Sequence, residues 1–169
     1  GTQMFIYDNL SRPRFTQDAE GALSNTYYNY IKYDILGRVV EEGVYTDTGG
    51  QAWDPLVLEN NANDPSWPLT NTTVHGTTLY DIDNTTGDNS INLANIGRVW
   101  KTTSYNSKTD GSDTANITST YTYRITGEVL TSTQQAAYDG VQDTPYTMIN
   151  AYTINGRLQS VEDDITSAV

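Results

Sequence analysis

The apolar and aromatic positions of this chain alternate with polar ones over short stretches. Between residues 27 and 33, Tyr27, Asn29, Ile31 and Tyr33 share one face, and Tyr28, Tyr30 and Lys32 share the other. Successive side chains point to opposite faces of a strand, so this is a strand pattern. The run stops at Tyr33-Asp34, passes through Ile35-Leu36-Gly37, and resumes as Arg38-Val39-Val40-Glu41. Asp suits the first position of a type I turn, where its carboxylate accepts local N–H groups, and Gly suits the position three later, where φ turns positive. Such a turn joins the strands of a hairpin with a bulge. The stretch therefore predicts a β-hairpin with its tip at 34–38.

The same phrase returns along the chain. Tyr123-Arg124-Ile125-Thr126-Gly127-Glu128 and Tyr152-Thr153-Ile154-Asn155-Gly156-Arg157 keep the aromatic four residues before the glycine. Leu93-Ala94-Asn95-Ile96-Gly97-Arg98 keeps the spacing with Leu for Tyr, and Tyr7-Asp8-Asn9-Leu10-Ser11-Arg12 keeps it with Ser for Gly. Repetition at this interval predicts a repeat architecture in which successive hairpins bury each other's faces. The predicted fold is all-β: an extended, twisted antiparallel sheet of successive hairpins, in one domain over 1–169. An irregular acidic insertion is expected at about 46–78. The flanking residues Asp34/Arg38 and Arg124/Glu128 swap charge together, which predicts an exposed cross-turn ion pair worth less than about 1 kcal/mol.

Charge narrows the partners. The chain has 21 acidic and 9 basic residues, a net charge of −12. No Lys or Arg occurs between Val39 and Gly97, while Glu41, Glu42, Asp47, Asp54, Glu59, Asp64, Asp81, Asp83 and Asp88 do. A phosphate backbone is repelled by that stretch, so no nucleic-acid partner is expected. A solvated acidic face that aids solubility accounts for it. Few aliphatic residues with this charge approach the composition of disordered chains. The 13 Tyr and 3 Trp supply the missing apolar area and favour strands. There is no cysteine, hence no disulfide, thiolate metal site or cysteine nucleophile. No run reaches the roughly 18 apolar residues of a membrane span. The opening residues lack a basic and then apolar leader pattern, which reads as a mature or excised piece.

Candidate chemistry is sparse, and no catalytic residue is assigned. His75 is the only histidine, which leaves at most one imidazole for a triad or metal site. Glu41-Glu42 and Asp163-Asp164 are neighbours in strand-like stretches, so each pair diverges rather than converging on one bond. Asp81, Asp83 and Asp88 in "DIDNTTGDN" offer hard oxygen ligands near a glycine, a weak calcium candidate without the bidentate Glu of a full loop. No other cofactor is expected. Trp53 and Trp67 lie among prolines in the 46–73 segment. They are candidates for stacking on a sugar ring, or staples that pin that segment to the sheet.

The phrase "YDILGRVVE" resembles the YD repeat of the Rhs family, which runs Tyr-Asp, two variable residues, Gly-Arg and an aliphatic residue. Tyr7, Asp8, Arg12, Tyr33, Asp34, Gly37, Arg38, Gly97, Arg98, Tyr123, Gly127, Tyr152, Gly156 and Arg157 carry the likeness as structural repeat positions. The spacers "NANDPSWPLTNTT", "TTLYD" and "NLANIGRVWKTTSYN" are similar to those of Rhs proteins of Bacteroidetes-like bacteria. The resemblance implies a structural, non-enzymatic role. Rhs, toxin-complex and teneurin proteins wind YD hairpins into a hollow shell, which in bacterial members encloses a C-terminal toxin domain. The expected partners are then other YD repeats of the same or a larger chain and an encapsulated toxin, with a secreted or cell-surface location. This chain is too short to close a shell alone and has Asp54-Pro55 without the Gly-Leu of a self-cleaving core motif. The competing expectations are a surface adhesin or carbohydrate-binding module using Trp53 and Trp67, and a sheet that self-associates through its edges.

Overall fold

The computed structural model describes residues 3–17, 27–47, 55–81, 96–107, 114–138 and 140–164. The chain is all-β, as its alternation predicts. Eleven strands follow in chain order: β1 (Met4–Tyr7), β2 (Pro13–Gln17), β3 (Tyr27–Tyr33), β4 (Val39–Thr46), β5 (Thr72–Tyr80), β6 (Val99–Ser107), β7 (Thr114–Tyr123), β8 (Val129–Tyr138), β9 (Val141–Gln142), β10 (Tyr146–Tyr152) and β11 (Leu158–Asp164). One short helix, α1 (Pro55–Asn61), precedes β5. The strands form one sheet in the order β1-β2-β3-β4-β5-β6-β7-β8-β10-β11, with β9 paired to β8. The paired neighbours are antiparallel, as short hairpin connections require.

The strand limits repeat a rule. β1, β3, β5, β7 and β10 each end on a tyrosine: Tyr7, Tyr33, Tyr80, Tyr123 and Tyr152. The return strands begin two residues after Ser11, Gly37, Gly97, Gly127 and Gly156. At four tips the register slips by one residue beside the tyrosine: Ile6/Tyr7, Lys32/Tyr33, Thr122/Tyr123 and Ala151/Tyr152. This is the bulge that a type I turn with a left-handed residue imposes. The glycines have φ of 83°, 77°, 112° and 73° in chain order, and Ser11 takes the same conformation at 59°.

The chain divides into two compact units, 1–77 and 78–169. The first holds a buried cluster of Ile6, Phe15, Tyr28, Tyr30, Leu58 and Ala62, with Tyr45 and Trp67 packed against it. Phe15 meets Trp67 edge-on at 5.1 Å between ring centres, and Trp67 lies 4.8 Å from Tyr45. The stretch expected to be an irregular insertion, 46–78, instead carries α1 and most of β5 among its described residues. Alternation in Thr72–Tyr80 is masked by Gly76 and a threonine-rich composition, and α1 has too few residues to show a helical period. In the second unit only Trp100, Thr103 and Ser119 are buried among the described residues. Its strands are laced by threonine hydroxyl contacts across neighbours: Thr103 to Thr118 at 3.3 Å, Thr122 to Thr131 at 2.6 Å, and Thr133 to Thr147 at 2.9 Å.

Candidate functional site

The repeated residues converge on the turn tips. At the first tip, Asp8 Oδ1 accepts the N–H groups of Leu10 and Arg12, each at 2.9 Å. Its Oδ2 accepts Arg12 Nε and Nη2, both at 2.7 Å. The second tip repeats the arrangement. Asp34 Oδ1 accepts Leu36 and Arg38 N–H at 2.9 Å, and Oδ2 accepts Arg38 Nε at 2.7 Å. One carboxylate thus satisfies two backbone donors and one guanidinium. Burial alone raises the carboxyl pKa of both aspartates. The N–H and guanidinium of Arg12 or Arg38 outweigh it, and both carboxyls sit below their ordinary value.

The predicted cross-turn ion pair therefore forms at Asp34/Arg38, and at Asp8/Arg12 besides. It is less exposed than expected, since Asp8 is buried and Asp34 half-buried. Arg124 and Glu128 make no such pair. The Glu128 carboxylate accepts the Thr126 hydroxyl, and lies over the glycine of the next tip. At the last tip Thr153 replaces aspartate, and its hydroxyl accepts Arg157 N–H at 3.1 Å.

The tip read from sequence as Leu93–Arg98 is built differently. Asp81 N–H donates to the Arg98 carbonyl at 3.2 Å, the bond that Asp34 makes to Arg38 elsewhere. The Asp81 carboxylate accepts Gly97 N–H. Tyr80-Asp81 thus supplies the first half of the repeat and Gly97-Arg98 the second. Residues 82–96 stand where the compact tips have two residues. Leu93 and Ala94 lie outside the described residues, and Tyr80 takes the position assigned to Leu93. The signal was present in "TTLYD", but a fixed spacing of four hid it.

Neighbouring tips are joined by a contact that repeats three times. The hydroxyl of Tyr33 donates to the Pro13 carbonyl at 2.9 Å, that of Tyr123 to Val99 at 2.7 Å, and that of Tyr152 to Val129 at 2.9 Å. In each case the acceptor opens the return strand of the preceding hairpin. The residue before that acceptor lies against the glycine of the next tip. A Cβ on Gly37 would stand 3.2 Å from Arg12 Nη1, one on Gly127 2.9 Å from Arg98 Nη2, and one on Gly156 2.8 Å from Glu128 Oε1. Arg12 also covers the Tyr33 ring at 4.5 Å, and Arg98 covers Tyr123 at 5.5 Å. Glycine serves twice here, for the positive φ and for the approach of the neighbouring side chain.

The other candidates fall elsewhere. Trp67 is a staple, held by Phe15 and Tyr45, and its carbonyl accepts Arg14 Nη2 at 2.8 Å. Arg14 is 2 % exposed and also donates to the Asp64 carbonyl at 3.0 Å, a buried role that sequence did not reveal. Trp53, Asp83 and Asp88 lie outside the described residues. Asp81 belongs to a turn, and no cluster of metal-ligating side chains occurs among the described residues. His75 is exposed on β5. Glu41 accepts the Tyr30 hydroxyl at 2.8 Å and Lys32 Nζ at 2.9 Å, while Glu42 borders Gly76, so the two carboxylates serve different neighbours. A cleft of about 210 Å³ opens beside the first tip, lined by Asp8, Arg12, Arg14, Tyr33, Asn63 and Pro65 among others. Asp8 is the one carboxylate among its described lining residues and is engaged by Arg12. No helix among the described residues is long and apolar enough to cross a membrane. No protein-family model matches the chain, and no curated protein matches it.

Proposed function

We propose that the chain is a non-catalytic, structural wall segment of the Rhs/YD-repeat kind. In this reading its hairpins form part of a secreted or cell-surface shell that encloses or delivers a C-terminal toxin domain of a larger polypeptide. The observation that carries the reading is the tyrosine-to-carbonyl junction, repeated at Tyr33, Tyr123 and Tyr152. A wall needs every hairpin bonded to the next at one pitch, and a repeated side chain that reaches the neighbouring return strand supplies this. The residues that carry sequence identity are spent on turns and junctions, and the acidic composition disfavours a nucleic-acid partner.

Hydrogen exchange on the intact chain tests the structural part. Amides of β2–β3, β6–β7 and β8–β10, the strand pairs that the three tyrosine junctions bridge, are expected to be protected as well as those inside hairpins. Tyr33→Phe, Tyr123→Phe and Tyr152→Phe together are expected to speed exchange at these junctions and spare the hairpin interiors. Junctions that exchange as freely as frayed ends in the unaltered chain would remove the wall reading.

A further inference from the structure

The first unit holds four Lys and Arg residues: Arg12, Arg14, Lys32 and Arg38. Among the described residues, three of them pair with a carboxylate: Arg12 with Asp8, Lys32 with Glu41 and Arg38 with Asp34. Arg14 does not, although it is the most buried of the four. Its two hydrogen bonds both leave from Nη2, to the backbone carbonyls of Asp64 and Trp67. Nε is enclosed and bonds to nothing. Nη1 makes no hydrogen bond among the described residues. The two carboxylates that bear on its charge are committed elsewhere. Asp8 holds Arg12, and Asp64 accepts the Ser66 N–H at 2.8 Å and hydroxyl at 2.6 Å. Burial thus holds the guanidinium below its ordinary pKa. A buried charge with so few partners is costly, and an anion beside it removes part of that cost.

Arg14 also lines the 210 Å³ cleft beside the first tip. Asn63 borders the same cleft. Its Oδ1 accepts Asn9 N–H at 2.8 Å, and its Nδ2 makes no hydrogen bond among the described residues. Leu10, Ala62 and Pro65 add apolar surface. We propose that this cleft binds a carboxylate, held by Arg14 Nη1 and Asn63 Nδ2, with a short apolar body against Leu10 and Pro65. Charge selects the class. Asp8, Arg12 and Arg14 leave the lining with one net positive charge, which a monoanion neutralises, whereas a phosphate dianion overfills it beside Asp8. Size agrees, since the cleft is smaller than the roughly 300 Å³ of a drug-sized pocket and suits a few carbon atoms. A free short-chain carboxylate and an acidic side chain of a peptide share this chemistry. The site does not rest on the outer edge of the sheet. Arg14 stands on β2, and the other walls include Tyr33 of the next hairpin and the turn after α1.

Nuclear magnetic resonance of the intact chain tests it, read at the Arg14 Nε–H and the Asn63 side-chain amide. Sodium acetate, replacing sodium chloride at constant ionic strength, is expected to shift both signals to saturation, and to raise the melting temperature relative to chloride. Inorganic phosphate is expected to act more weakly. An end-blocked Gly-Asp-Gly peptide that also saturates them, while Gly-Asn-Gly does not, would assign an acidic side chain. Saturation by acetate alone would assign a free carboxylate. Asn63→Asp keeps an oxygen for Asn9 N–H and sets a like charge in the cleft, so it is expected to weaken acetate binding about tenfold or more. Shifts no larger than chloride gives, phosphate binding more tightly than acetate, or binding indifferent to Asn63→Asp would each overturn the site. None of these outcomes touches the wall reading, which rests on the internal junctions and their exchange.

Discussion

The two units use the same tips and differ in what lies between them. In the first, Phe15 is fully buried and Tyr30 is 1 % exposed, with Trp67 and Arg14 closing over them. In the second, Ile117 is 53 % and Val161 52 % exposed, and buried positions are mostly threonine and serine. One unit therefore has an apolar core beneath its sheet. The other holds register through cross-strand hydroxyl pairs, bulged turns and tyrosine junctions. The tip grammar is thus independent of a core, which a wall built of many similar hairpins requires.

Core truncation should separate the units most. Phe15→Ala removes a fully buried ring that Trp67 packs against, and is expected to cost about 3 to 5 kcal/mol. Ile117→Ala, on an exposed strand position, should cost less than about 1 kcal/mol. Denaturant unfolding followed by Trp fluorescence and by site-resolved exchange would measure both. Equal losses would mean that the second unit hides a core of its own.

The glycines sharpen the contrast at a smaller scale. A Cβ on Gly43 would stand 2.3 Å from the Thr73 carbonyl oxygen and 3.0 Å from the Tyr30 hydroxyl. Gly43→Ala must move backbone, and is expected to cost about 1 to 3 kcal/mol. At Gly97 nothing lies within 4 Å, and only its φ of 77° opposes a side chain. Gly97→Ala should cost about 1 kcal/mol, and Gly97→Asn less, because asparagine tolerates the left-handed region. At Gly43 the order should reverse, with Asn worse than Ala. Thermal melts of the four variants test that crossing.

These differences also mark what could be read from residues alone. The hairpins were legible because a turn is local: Asp34, Gly37 and the alternation of 27–33 all act within one short stretch. The composite tip was not, because Asp81 and Gly97 are 16 residues apart in sequence. The junctions were also hidden. Their tyrosines were visible as repeat positions, but the acceptor is a backbone carbonyl about twenty residues earlier, which carries no side-chain signature. Arg14 reads as an ordinary surface cation, and only the carbonyls of Asp64 and Trp67 explain its burial. The core of the first unit was half legible, since Tyr28 and Tyr30 share a strand face while Leu58 arrives from a seven-residue helix and Ala62 from the turn just after it.

The smallest predicted effect concerns the tips themselves. In the first unit the turn at 34–38 is stapled by a carboxylate, and in the second the turn at 153–157 is stapled by a hydroxyl. A carboxyl held below its ordinary value of 3.8 takes up its proton at lower pH than it does in the unfolded chain. Its contribution is complete above that ordinary value and is lost as the pH falls through the lowered native one. The Asp34 and Asp8 tips should therefore loosen in that acid window, while the Thr153 tip, with nothing to titrate in its staple, should not. Asp34→Asn keeps an oxygen for the Leu36 and Arg38 N–H groups and loses the charge that holds the guanidinium. It should cost less than about 1 kcal/mol near neutral pH and flatten the acid response at that tip. Chemical shifts of Gly37 and Gly156 followed from neutral pH into acid would show it. A Gly156 shift that tracks Gly37 would mean that the acid response belongs to the whole sheet rather than to the aspartate staple.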